Sequence, residues 1–203
     1  MVMHVIVDKP SPEGQRLVVP GRQTWEQFKT MQVWADSIPG LRLIYLDGCI
    51  EIVTTGEGHE IIKKFIAILI ETYFFERGIS FIPVGNATCE AEEQDVSFEP
   101  DESYYIGEKK EHPDLAVEVV ITSGGIGKLE KYKRFKVREV WFWQEARLSV
   151  HVLRHDDNAE RTHYQLVAQS ELLPDLDLAL LVRCIAIADV SAARTAFLAG
   201  LRQ

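Results

Sequence analysis

Two carboxylates and a lysine are the residues whose types and spacing point to chemistry. Asp101 and Glu118 lie in EPDESYYIGEKKEHPDLAVEVV, and Lys128 follows in GIGKLEKY. The GEKKEH stretch, Gly107 to His112, reads as the connection of a hairpin with its centre between Lys109 and Lys110. That register sets Asp101 opposite Glu118. Opposed side chains in an antiparallel pair lie about 4.5–5.5 Å apart at Cβ. Carboxylates that close repel unless positive charge lies between them. A divalent cation with oxygen ligands, Mg²⁺ or Mn²⁺, is one solution, with the Val119 carbonyl and water completing the donor set. Lys128, at the start of a predicted helix, would orient or deprotonate the attacking water and neutralise charge developing on a phosphate. This is the apparatus of a metal-dependent phosphodiester hydrolase. The alternative is two exposed strand carboxylates in unrelated salt bridges and an ordinary surface lysine. The turn register decides between them.

Other polar residues carry weaker signals. Asp114 shares the face of Glu118 but lies four residues earlier, roughly 13 Å away, too far to share one ion. It reads as the start of a strand, bonded to turn amides, or as an auxiliary group. His59 and Glu60 open a long helix; Glu60 would assist a metal site through water and His59 would contact phosphate, or both are first-turn and capping residues. From Ile126 to Arg138 there are six basic residues, Lys131 among them, against one acid, Glu130. This run is a candidate phosphate-backbone surface or a solvated helix face. The Ser123-Gly124-Gly125 turn either offers amides to an oxyanion or joins two elements. HExxH fails because Lys63 stands where the second His must be, and no GxSxG, Walker or dinucleotide motif occurs.

These residues need a scaffold. Thr24 caps a predicted helix from Trp25 to Ala35. LRLIYLDGCIEIV reads as a hairpin turning at Asp47-Gly48. Residues 59–77 show the clearest helical period, stopped by Gly78. Strands follow near 79–84 and, less distinctly, 87–92, then at 100–106 and 114–121. In the last, Leu115, Val117, Val119 and Ile121 share a core face and Asp114, Ala116 and Glu118 the chemical face. A helix over 126–136 and a strand over 137–143 complete a crossover with parallel strands. A further hairpin spans 147–153 and 162–168, and a helix from about Ser191 to Leu201 ends the chain. Trp141 and Trp143 read as core.

Length and composition set the frame. The chain has 203 residues, 46% of them hydrophobic, enough for one domain with a full core. Its net charge of -9 disfavours a simple nucleic-acid binder but leaves room for a local basic surface. Cys49, Cys89 and Cys184 are scattered, which argues for a reducing compartment and against a zinc site or disulfide frame. No secretory signal and no membrane span are expected.

The ordered set LDGCIEI, GHE, EPDESY, PDLAVEV, TSGG, KLEKY and VREVWFW resembles the Uma-two family, a large bacterial group of restriction-endonuclease type within the PD-(D/E)XK nuclease superfamily. The likeness covers about residues 23–145, and more loosely reaches 182 through SELLPDLDLALL. It implies an α/β fold, a restriction-endonuclease-like core with a central mixed β-sheet flanked by α-helices. It makes Pro100-Asp101 the PD element and Glu118 the acid of (D/E)XK. The usual lysine position, two residues after the acid, is Val120; the resemblance moves that lysine to Lys128. Members often carry Asp beside or before it, where Gly127 and Gly124 stand here. Glu60 matches the acid that the superfamily often places on its first core helix. The expected organisation is an N-terminal arm (1–22), a nuclease domain (23–182) and a C-terminal helical extension (183–203). The expected activity is Mg²⁺-dependent endonucleolytic cleavage of nucleic acid, DNA in first place, by a cytoplasmic homodimer. A non-catalytic nucleic-acid-binding or assembly module on the same fold is the alternative.

Overall fold

The computed structural model describes residues 14–120, 128–156 and 161–202. Most of the N-terminal arm, the Ser123-Gly124-Gly125 turn and the first residues of the predicted 126–136 helix lie outside them. Two sheets, rather than the single one expected, organise the chain. The first has five antiparallel strands in the order β1-β3-β2-β6-β5: β1 (Gly14–Val18), β2 (Leu41–Leu46), β3 (Cys49–Thr55), β5 (Cys89–Ala91) and β6 (Val96–Phe98). The second is the mixed sheet that the sequence predicts. It is ordered β11-β10-β9-β8-β7-β4, from β4 (Phe81–Pro83), β7 (Glu102–Ile106), β8 (Leu115–Val120), β9 (Glu139–Gln144), β10 (Arg147–Asp156) and β11 (Arg161–Val167). Among the described residues its one parallel pairing is β8 with β9, with α3 (Leu129–Arg134) between them in the chain as the crossover pattern predicts.

Local chemistry explains the elements. Helix α1 (Trp25–Ala35) begins with a capping box: Gln27 N–H donates to Thr24 Oγ1 and the Gln27 side chain accepts from Thr24 N–H, pairing two of the donors that every helix start leaves open. Asp47 and Gly48 both take positive φ, 49° and 79°, the conformation a two-residue hairpin turn needs. Helix α2 (Glu57–Arg77) stops where Gly78 enters the left-handed region at φ 63°.

Strand β8 is buried along its whole length. Leu115, Val117 and Val119 pack under α2 with Leu69, Ile70 and Phe74, as the alternation predicts. The other face, expected to carry the chemistry, is also covered. Ala116 and Val120 pack with Phe98 of β6 and with Tyr132 and Phe135. The first sheet is the reason: its strand β6 lies over this side together with α3, so Glu118 emerges into a cleft between covered surfaces. Helices α4 (Leu178–Ile185) and α5 (Val190–Leu201) pack on α2, and α4 runs across position 183. Trp141 and Trp143 are core. Among the described residues, no helix is long and apolar enough to cross a membrane.

Candidate metal centre and its cleft

Strand β7 pairs with β8 so that Glu102 opposes Val117 and Ser103 opposes Ala116. This is the register that sets Asp101, at the entry to β7, beside Glu118. Asp101 is 3% and Glu118 4% exposed, so both carboxylates are almost withdrawn from water. Such groups must be paired. Asp101 Oδ2 accepts the Val119 amide at 2.8 Å and meets His59 Nε2 at 3.0 Å; its Oδ1 accepts Arg42 Nη2 at 3.1 Å. Burial alone would raise the Asp101 pKa, but His59, Arg42 and the Val119 amide outweigh it and hold the carboxyl below its ordinary range.

Glu118 is held from α3. Its Oε1 accepts Lys131 Nζ at 2.7 Å and the Tyr132 hydroxyl. Its Oε2 has Lys128 Nζ at 3.9 Å and accepts no hydrogen bond from the described residues. Burial pushes the Lys131 pKa down against the pull of Glu118, and burial together with Glu118 pushes the Tyr132 hydroxyl up. His59 Nδ1 lies 3.1 Å from Glu60 Oε1, and Lys63 pairs with Glu60 at 2.5 Å. Burial lowers the His59 pKa, yet the carboxylates of Asp101 and Glu60 reverse this and leave it raised.

Both carboxylates line one cleft, together with Arg16, Arg42, Lys128 and Lys131. Strands β1, β2 and β3 form its opposite wall. The donor set fits a hard divalent cation: Asp101 and Glu118 both bring carboxylate oxygens to the cleft, and Mg²⁺ and Mn²⁺ prefer oxygen. Among the described residues no cluster of three or more His, Cys, Asp or Glu surrounds them, so further ligands would be main-chain carbonyls and water.

A family model named Uma2 and described as "Putative restriction endonuclease" matches residues 25–188. The chain belongs to the Uma2 family. No curated protein matches the sequence. The restriction-endonuclease-like fold agrees with this membership.

Asp101, Glu118, Val119, Lys128, Lys131 and His59 are brought together. Val119 takes part through its amide, which donates to Asp101, whereas the sequence points to its carbonyl. Glu60 stands one contact away, behind His59. Asp114 is not in the cleft: it accepts Ile106 N–H at 2.8 Å and Lys110 Nζ at 2.7 Å, the turn-bonding role. The basic run does not form one surface. Lys128 and Lys131 face the cleft, but Lys133 pairs with Glu130 and Arg134 with Asp47, because a helix turns successive residues to different sides. Two participants escape sequence reasoning. Arg42 is 59 residues from Asp101, and no local pattern links them. Tyr132 falls on the apolar stripe of α3, which hides its hydroxyl's role.

Proposed function

We propose that this chain is a metal-dependent endonuclease that hydrolyses phosphodiester bonds of DNA. The observation that carries the reading is the convergence of two nearly buried carboxylates from adjacent strands on one cleft edged by Arg42, Lys128 and Lys131. Asp101 and Glu118 would hold Mg²⁺ or Mn²⁺, which supplies Lewis-acid activation of the phosphoryl group and of water. Arg42, His59 and the Val119 amide fix the orientation of Asp101; Tyr132 and Lys131 fix Glu118. Among the described residues Lys128 has one weak pairing, at 3.9 Å, which leaves its ammonium available to a phosphate oxygen or to the attacking water. Glu60 supports the site by positioning His59.

The test uses the isosteric variants Asp101→Asn and Glu118→Gln. Alanine at 101 would strand Arg42, His59 and the Val119 amide and cost about 3–5 kcal/mol, confusing lost chemistry with lost fold. Plasmid DNA is incubated with Mg²⁺ or Mn²⁺ and, in parallel, with EDTA. Cleavage is expected to need the metal and to fall at least ~100-fold in each variant, with the circular dichroism spectrum unchanged. Variants that cut as fast as wild type would sink the assignment.

One observation favours a second reading, a non-catalytic binding module. Both oxygens of Asp101 already have partners within the chain. On that reading metal produces no heat in a titration, and Asp101→Asn leaves DNA binding unchanged.

A further inference from the structure

Lys131 is the least exposed cation of the cleft, at 2%. Its ammonium lies 2.7 Å from Glu118 Oε1, 4.4 Å from the Phe98 ring centroid and 4.9 Å from that of Tyr132. Two aromatic faces and a carboxylate favour positive charge at this point, against the burial that opposes it. The residue cannot swing clear easily, because the adjacent Tyr132 is itself buried and anchors α3 to the same carboxylate. Counting ion pairs within 4 Å, Asp101 and Glu118 face Arg42, Lys128 and Lys131, with His59 in addition. Their two negative charges are therefore more than matched by cations of the described chain. An arriving divalent cation must share Glu118 with an ammonium that water does not screen, and unscreened like charges repel strongly.

We propose that Lys131 is a built-in counter-ion that competes with the divalent cation for Glu118, keeping the site assembled when metal-free and weakening its affinity for metal alone. The inference rests on the metal reading above. It makes Lys131 a positioning residue: it acts on metal and substrate through Glu118.

The experiment is isothermal titration of Mn²⁺ into wild type, Lys131→Met and Lys131→Gln, with melting temperatures in EDTA and in saturating Mn²⁺. The neutral variants are expected to bind Mn²⁺ at least about ten-fold tighter than wild type. They should melt lower than wild type in EDTA and gain more from Mn²⁺. Gln keeps a hydrogen bond to Glu118 without the charge, so it serves if Met cannot fold. Equal or weaker Mn²⁺ binding by the variants, with wild type binding, overturns the competition and leaves the metal site standing. No Mn²⁺ binding by any of the three proteins removes the metal site and this inference with it.

Discussion

Three thiols show how far surroundings, rather than residue type, set reactivity. Cys49 is exposed, Cys89 half-buried and Cys184 buried. Burial against the core under α3 pushes the Cys89 thiol up to about 11, a shift that Lys131 only partly opposes. The thiolate is the nucleophile, and with that pKa about a thousandth of Cys89 is ionised at pH 8. Iodoacetamide at pH 8 is therefore expected to label Cys49 while Cys89 and Cys184 stay unmodified, and urea should bring all three to similar rates. Peptide mass spectrometry over time reads the result; Cys89 reacting alongside Cys49 in the native protein would contradict its environment. At this scale the sequence is informative where one residue's neighbour is set by a turn. Asp101 and Glu118 are legible because a short hairpin connection fixes their register. Arg42 is not, since its approach to Asp101 depends on how β2 lies across the cleft. Nor is burial of Lys131: a lysine within a basic run reads as a solvated side chain, and the covering aromatic rings come from elsewhere in the chain.

Elements were the more legible level, for reasons that differ between them. Helix α2 has an apolar period and a glycine stop, and hairpin β2–β3 has the Asp-Gly turn; both are local signals. Strand β1 has no such pattern. Its presence depends on pairing with β3, where Gly14 opposes Thr55 and Val18 opposes Glu51, and it brings Gln15 and Arg16 to the cleft wall. Gly14 is the residue that permits this. Its φ is 83°, and a Cβ there would stand 2.3 Å from the Thr54 carbonyl oxygen. Backbone cannot yield as a flexible side-chain tip would, so Gly14→Ala must displace the start of β1. A cost of about 1–3 kcal/mol follows from the left-handed conformation and the clash together. The urea midpoint should shift down accordingly. An unchanged midpoint would mean that this end of β1 is not paired as described.

Across the whole molecule, the hydrophobic cluster beneath α2 decides what belongs together. It joins Ile66, Leu69 and Phe74 of α2 with Tyr104 of β7, Val117 of β8, Trp141 of β9 and Val150 of β10, and also with Leu181 of α4 and Phe197 of α5. The sequence shows an apolar stripe on α2 but cannot reveal that the end of the chain covers it, because that contact bridges over a hundred residues. The same helix carries His59 in its first turn against Asp101, so the packing that seats α5 also seats one side of the candidate site. Phe197 is fully buried in this cluster. Cutting it to alanine removes a large apolar side chain that its neighbours can only partly replace, at about 3–5 kcal/mol. Phe197→Ala is expected to lower the unfolding free energy in urea by that amount, while Trp fluorescence, to which Trp141 and Trp143 of the core contribute together with Trp25 and Trp34 of α1, and far-ultraviolet circular dichroism still change together. Coincident transitions would mark a single cooperative unit that includes α5. A variant whose helical signal melts first, with Trp fluorescence unmoved until higher urea, would show that α4 and α5 unfold apart from the sheet and that the candidate site does not depend on them.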